Sequence, residues 1–491
     1  MIWFILLISL ILRLVALNQS LWLDEAINVN SAAGLDFKSL ILNYSLGDFH
    51  PPLYHVILRS WILLFGNSEI AARLPSVIFG VGTVFATYLV AKRLFDKKTA
   101  LIAATLLATA PLHIYYSQEA RMYMLAAFLA TLSVYFFISI LKKDNFIRRK
   151  TLFIRRKTSF IAWLGFIIST TLMLYTDYLP YLLVITFIIY LIVNKKRIAK
   201  ESLKAFIPAL ILIFILLVPW FLILPKQFST GLSAAAASPA WAQVVGTPHP
   251  KDLLLTFVKF TIGRISHDNN LIYTLLFAPV AAFISFLFLL SLFRISATRS
   301  FLWYWLVIPI LLGFIIAYFV PIFAYFRFIF LLPAFYLIIS SAISTVNWPP
   351  LVRFLLVLTL TINLVASTIY FINPKFHREH WREATQYIHN KSTDATLVLF
   401  ESDYSVGPFD YYNQGKVRAE GALDSFTANE SKVAEKVKRL TSDINTVFLF
   451  QYLSGITDPQ GLVFKELTKQ GFTNTKTRDF SGVGFVYEFI R

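Results

Sequence analysis

Runs of about 17–23 consecutive apolar residues recur along the first three quarters of this chain. Each is long enough to cross a hydrocarbon core roughly 30 Å thick. Such runs must fold as helices there, because a helix satisfies its backbone hydrogen bonds internally. Composition agrees: 57% of the 491 residues are hydrophobic, which leaves too little polar side chain to cover a soluble domain. From about Asn373 that character is lost. The chain is therefore expected to comprise an all-α membrane domain, residues 1–371, and a C-terminal domain, residues 372–491, of ordinary composition.

Candidate spans fall at 2–17, 75–92, 99–114, 122–141, 160–176, 178–193, 205–224, 271–293, 301–320, 326–346 and 351–371. Residues 2–17 have a signal-peptide-like core but neither a charged region before it nor a small-residue cleavage site after it, so they read as a retained helix. An odd count of eleven puts the termini on opposite sides, and basic residues decide which side. Lys92–Lys98, Lys142–Lys157, Lys195–Lys204, Arg294–Arg299 and Arg353 hold 20 Lys and Arg, against nine in the alternate connections. The N-terminus is thus expected in the cytoplasm, with the loops after spans 1, 3, 5, 7 and 9 and the C-terminal domain outside. The short apolar run 53–65 suits an interfacial or re-entrant helix, since a twelfth span would carry the Lys142–Lys157 cluster outward.

The same count explains the net charge of +18. Residues 1–371 carry 30 basic and 12 acidic residues, and 372–491 carry 15 of each. The excess lies between spans, where it reports topology and not nucleic-acid binding. Cysteine is absent, which excludes disulfides, thiolate catalysis and Cys-based zinc sites. A tandem repeat, Phe146-Ile-Arg-Arg-Lys-Thr-Leu152 followed by Phe153-Ile-Arg-Arg-Lys-Thr-Ser159, sits in a basic cytoplasmic loop suited to anionic headgroups. The longest outward loop, 225–270, contains Ala234-Ala-Ala-Ala-Ser-Pro239 and reads as a lid or an unstructured connection. Beyond Asn373, strand signals at 396–400, 446–451 and 484–489 alternate with helix signals at 431–441 and 460–470, giving a small α/β domain.

Charges at the span ends on the outer side are the candidates for chemistry. Asp24 and Glu25 lie in Leu21-Trp-Leu-Asp-Glu-Ala26 just past the first span; carboxylates so close to a membrane are costly to desolvate and suit a base acting on a hydroxyl. Capping of a helix that starts near Ala26 would equally account for Asp24. His50, in Phe49-His-Pro-Pro-Leu-Tyr54, is fixed by two prolines at a helix entry, as a cation, a proton donor or a metal ligand. Glu119 and Arg121, in Ser117-Gln-Glu-Ala-Arg-Met-Tyr123, are the only charges between Lys98 and Lys142. A guanidinium there suits a phosphate leaving group, and snorkelling to water is the bland account of both. Asp177 and Arg327 are further charges on the same side. Asp24, Glu119 and His50 are also the residues open to a divalent ion.

Taken in order, Leu-Trp-Leu-Asp-Glu-Ala, His-Pro-Pro-Leu-Tyr, Ala71-Ala-Arg-Leu-Pro75 and Ser-Gln-Glu-Ala-Arg-Met-Tyr resemble the motifs of the GT-C glycosyltransferases. The likeness is to the group containing protein O-mannosyltransferases, lipid A aminoarabinose transferases and lipopolysaccharide-core galacturonic acid transferases. It is strong over residues 1–195 and looser to 371, with echoes in Tyr325-Phe-Arg327 and His380-Trp-Arg-Glu-Ala384. The resemblance implies inverting transfer of a sugar from a polyprenyl-phosphate donor to a lipid, glycan or protein acceptor. It casts Asp24 as base, Glu25 and Glu119 as shaping the acceptor site, and His50, Arg121 and Arg327 as stabilising the donor phosphate. His50 stands where aminoarabinose transferases carry lysine. A lipid or glycan transporter is the rival, but it calls for mid-membrane charges and paired halves, whereas these charges sit at span ends. A sensor with a glycan-binding outer domain would not need so many spans. The topology has a direct check: reporter fusions at Lys150 should read cytoplasmic and at Arg491 external, and a cytoplasmic C-terminus would overturn the assignment.

Overall fold

The computed structural model describes residues 1–141, 152–237, 246, 248–292, 297–423 and 429–491. Residues 146–151 of the tandem repeat, the stretch 238–245 of the long loop 225–270 and part of the Arg294–Arg299 cluster lie outside these residues. Each expected span has a helix. They are α1 (Ile2–Leu14), then, after α2 (Leu23–Gly34) and α3 (Leu53–Phe65), α4 (Glu69–Leu94), the pair α5 (Lys97–Ala108) and α6 (Pro111–Ser117), and α7 (Tyr123–Leu141). There follow α8 (Leu152–Leu174), α9 (Tyr181–Val193), α10 (Lys200–Phe221) and, past α11 (Leu224–Ala237) and α12 (Pro250–Ile262), α13 (Asn270–Leu292), α14 (Ala297–Ile316), α15 (Leu332–Thr345) and α16 (Pro349–Ile372). Among the described residues, six segments are long and apolar enough to cross a membrane, and the bent α5–α6 pair makes a seventh; α1, α3, α9, Phe160–Leu174 of α8 and Ser300–Ile316 of α14 are shorter apolar stretches. The run 53–65 is a separate 13-residue helix. The long outer connection, expected as a lid or unstructured, instead carries α11 and α12, because Leu253, Phe257 and Phe260 supply an apolar stripe that packs on the bundle.

The α5–α6 break has a local cause. Pro111 lacks an N–H and cannot continue α5, so the axis turns by 60°. The amide of Ala110 turns to the carbonyl of Leu107. The carbonyl of Leu106, thereby freed, accepts from Asn363 Nδ2 of α16 at 3.0 Å. A polar side chain thus repairs a helix break inside apolar surroundings. Beside it, Gly80 of α4 lets Ser117 and Arg13 approach so closely that a Cβ there would lie 2.3 Å from Ser117 Oγ. Arg13, fully buried, bonds Ser9, the carbonyl of Ala108, Ser117 and His113.

Beyond α16 the chain forms a doubly wound α/β unit. After α17 (Trp381–His389) come β1 (Thr396–Phe400), α18 (Gly407–Asn413), β2 (Arg418–Gly421), α19 (Glu430–Leu440), β3 (Thr446–Phe450), α20 (Leu462–Lys469), β4 (Thr473–Phe480) and β5 (Gly484–Ile490). The sheet order is β2-β1-β3-β5-β4, parallel through β2, β1 and β3 and antiparallel from β3 to β4. β1 and β3 are five-residue apolar runs buried on both faces, the pattern of a covered parallel sheet. Trp381, Phe400, Phe409 and Phe450 pack one face; Val433, Val437, Val463 and Leu467 pack the other. Trp381→Ala should therefore cost about 3–5 kcal/mol. Thermal unfolding in detergent, followed by protease release of the C-terminal unit, checks this; an unchanged midpoint would show that Trp381 does not hold the core.

Candidate active site

The connection that follows α1 leads into α2, which starts at Leu23. Asp24 lies in the first turn of α2, not at its cap, which is Trp22 without a side-chain bond. The capping account of Asp24 is thereby removed. Its carboxylate is 38% exposed and meets Arg121 Nη2 at 3.6 Å. Arg121 itself is only 5% exposed and reaches a second carboxylate, Asp48, at 3.2 Å through Nη1.

Asp48 ends a short helix just before the left-handed Phe49. The reversal turns His50 back, so that its Nδ1 lies 3.0 Å from Asp48 Oδ2, while His55 of α3 brings Nε2 to the same oxygen at 3.0 Å. Tyr44 adds a hydroxyl between Asn28, at 2.5 Å, and Asp48. Burial opposes ionisation of Asp48, but Arg121, His50 and His55 outweigh it and hold the carboxyl well below its usual range. His50 and Arg121, expected at a donor phosphate, are therefore both engaged by Asp48. Arg121 divides its charge between two carboxylates, which makes it an orienting group for Asp24.

Glu25 calls for a correction too. It is fully buried, and Arg73 clamps it with Nε to Oε1 at 2.8 Å and Nη2 to Oε2 at 2.6 Å. Oε1 also accepts the backbone N–H of Ala120 at 2.8 Å, and Arg73 further donates to the carbonyls of Leu17, Gln19 and Ser20. With both oxygens occupied, Glu25 fastens the start of α2 to the turn between α6 and α7 and is not open to an acceptor in this arrangement. Glu119, 1% exposed, pairs with Arg378 at 2.8 Å, and Arg378 also lies over the Tyr115 ring, 3.8 Å from its centroid. Asp177 accepts from the N–H of Tyr178 at 2.6 Å and takes no part.

Asp24, Glu119 and His50 thus each have a different partner and do not converge on one ion. Among the described residues no group of three or more His, Cys, Asp or Glu side chains is placed to hold a metal. Arg327, half-buried in a 3-10 turn at Tyr325–Leu331, has no carboxylate partner among the described residues. Arg264, exposed, donates to Tyr115 Oη at 2.8 Å. Lys259 of α12 lies over Tyr325, 5.8 Å from the ring centroid; burial, then Arg264, pushes its ammonium down to about 8.

Sequence reasoning missed Asp48, His55, Arg73, Lys259, Arg264 and Arg378. Arg73 carried a signal, a charge at the head of an apolar helix, and Asp48 stands two residues before His50. Arg378 belongs to the C-terminal segment and meets Glu119 only through the fold. A seventh residue, Glu379, accepts from Trp381 Nε1 at 2.7 Å and from Tyr452 Oη at 3.0 Å. Burial, with the charge of Asp24 adding to it and those two bonds opposing it, pushes its carboxyl up to about 7.

Comparison with known proteins follows this geometry. Residues 49–223 match the model of a family described as dolichyl-phosphate-mannose-protein mannosyltransferase. No curated protein sequence matches the chain. Among solved structures, ArnT from Cupriavidus metallidurans in the apo state aligns with a TM-score of 0.57 at 12% identity, over 99% of this chain and 97% of that one. The same protein bound to undecaprenyl phosphate gives the same values, a TM-score of 0.57 at 12% identity. The Archaeoglobus fulgidus oligosaccharyltransferase in complex with Zn and sulfate aligns with a TM-score of 0.58 at 15% identity, over 99% of this chain and 72% of that one. The chain thus shares its fold with ArnT and with the oligosaccharyltransferase over nearly its whole length, and residues 49–223 are similar to the mannosyltransferase family.

Glu379 gives the site a pH signature. Its folded pKa of about 7 lies above the ordinary value of 4.5, so the fold favours the protonated form. Its contribution is whole below about pH 4.5, shrinks as pH rises through about 7, and is constant above. Glu379→Gln should remove that part of the slope in thermal unfolding between pH 4.5 and 7; an identical slope in the variant would refute the assignment.

Proposed function

We propose that the protein moves a monosaccharide from a polyprenyl-phosphate carrier to an acceptor hydroxyl, with inversion, on the outer face of the cytoplasmic membrane. The observation that carries this reading is the contrast among the three candidate carboxylates. Glu25 and Glu119 are buried against Arg73 and Arg378, whereas Asp24 is both accessible and held in place by Arg121. A base must reach the acceptor and must already be oriented.

Asp24 takes the proton of the acceptor hydroxyl as that oxygen attacks the anomeric carbon from the face opposite the phosphate. The bond from carbon to phosphate oxygen breaks, and the electron pair leaves on the lipid phosphate. Arg121 keeps Asp24 ionised and aimed, and Asp48, with His50 and His55 on its other oxygen, keeps Arg121 in place. Arg264 and Arg327, which have no carboxylate partner among the described residues, with Lys259 nearby, are the groups that receive the phosphate charge. Lipid phosphate bound to ArnT supports a carrier of this kind, and the basic bias of the alternate loops supports the outward face.

Purified protein supplied with radiolabelled polyprenyl-phosphate mannose and a mixture of membrane acceptors tests the reading. Asp24→Asn should lower turnover by about 100-fold or more while leaving expression and donor binding nearly intact. Arg121→Lys should lower kcat more than it raises the donor KM, because lysine cannot bridge two carboxylates. Arg264→Gln should mainly weaken the donor's hold. Normal turnover in Asp24→Asn together with loss in Glu119→Gln would move the base to Glu119.

A further inference from the structure

The parallel part of the C-terminal sheet changes its direction of growth at β1: β2 is laid on one side and β3 on the other. The helices that follow β1 and β3 pack opposite faces, Phe409 of α18 on one and Val463 and Leu467 of α20 on the other. Chain connections that depart in opposite directions leave a crevice outside the carboxyl ends of the strands, where ligands of open α/β sheets bind. Here it is a cavity of about 520 Å³. Glu401, the first residue after β1, and Gln451, the first after β3, line it together with Asp458, Phe464, Lys465 and Tyr487.

The lining selects the chemistry. Glu401 is only 4% exposed. One of its oxygens accepts from Thr457 Oγ1 at 3.2 Å, and no protein group among the described residues bonds the other. Burial, then the charge of Asp458, pushes its carboxyl up to about 8, so at neutral pH it offers both a donor and an acceptor. Asp458 spends its oxygens on the backbone N–H groups of Leu462 and Val463, at 2.9 and 2.9 Å. Those bonds exclude two ligand classes. The N-terminal amides of α20 are not free for a phosphate, and the carboxylates do not form a cation cage. Tyr487 Oη donates to Gln451 Oε1 at 2.8 Å, which leaves the amide nitrogen of Gln451 for a ligand. Phe464 and Tyr487 meet edge to face, 5.1 Å between centroids, and give the crevice an aromatic wall.

We propose that this crevice is a carbohydrate-binding site, separate from the Asp24 constellation, that takes a neutral oligosaccharide. Sugar hydroxyls pair with amide and carboxyl groups, each donating and accepting, while the C–H face of a pyranose covers an aromatic ring. The choice of a carbohydrate among neutral hydroxyl-rich ligands rests on the glycosyltransferase reading; the site shares no residue with the transfer machinery.

The test uses the full chain in lipid nanodiscs, with mannotetraose, maltotetraose and chitotetraose as probes in saturation-transfer NMR. At least one should receive saturation. Glu401→Leu and Gln451→Ala should each weaken its binding by about tenfold or more, and Asp24→Asn should leave it unchanged. Gln451 is exposed, so its variant keeps the fold even where Glu401→Leu does not. Saturation of none of the three sugars, or saturation that survives Gln451→Ala, would overturn the proposal. Calcium binding that depends on Glu401 would overturn it in favour of a cation site. Sugar binding without any transfer activity would count against the catalytic reading and leave this site standing.

Discussion

Arg73 is a full positive charge with essentially no exposure to water, and the loops around it are arranged to neutralise it. Two of its nitrogens hold Glu25, and the same guanidinium collects the carbonyls of Leu17, Gln19 and Ser20. Through Glu25 the second outer loop is added at Ala120. Three stretches distant in sequence, the exit from α1, the start of α4 and the turn between α6 and α7, are thereby fixed to one another. Losing one partner of such a buried pair typically costs about 3–5 kcal/mol, since the survivor is left charged and unsolvated. Asp24 is the neighbour of Glu25, and Arg121 follows Ala120. Their encounter is a consequence of that clamp.

A second layer of charge pairing brings in the C-terminal unit. Arg378 reaches Glu119, and Arg382 reaches Glu69 and the carbonyl of Asn18. Tyr412 takes the N–H of Leu21, Asn30 donates to the carbonyl of Gly407, and Glu379 lies within electrostatic range of Asp24. The α/β unit thus forms part of the wall around the first outer loop. A change in its core is expected to reach Asp24 through these contacts, because those to Asn18, Leu21 and Asn30 lie on either side of it and Glu119 lies two residues from its partner Arg121.

The polar groups inside the helical part follow one rule: where a helix breaks or a charge is buried, a side chain from another helix supplies the missing bond. Asn363 serves the carbonyl of Leu106, and Ser117 and His113 serve Arg13. Water is scarce in such surroundings, so each unsatisfied group would cost several kcal/mol.

Much of this was legible in the residues. The apolar runs placed the helices because their length answers to membrane thickness, and Thr396–Phe400 and Thr446–Phe450 read as strands because both faces are apolar. The edge strands β2 and β4 were not legible: Arg-Ala-Glu-Gly and Thr-Asn-Thr-Lys-Thr-Arg-Asp-Phe are polar and mostly exposed, and they become strands only through pairing. The candidate residues Asp24, Glu25, Glu119 and Arg121 were visible as rare charges near apolar segments. Their division of labour was not, because it depends on which cation each carboxylate meets. Arg73 and Arg378 lie 48 and 259 residues away from Glu25 and Glu119. The sequence alone determined where the chain could enter an apolar medium, since that depends on local composition. Only the tertiary structure decided which carboxylate stays open to water, since that depends on charges brought together from distant parts of the chain.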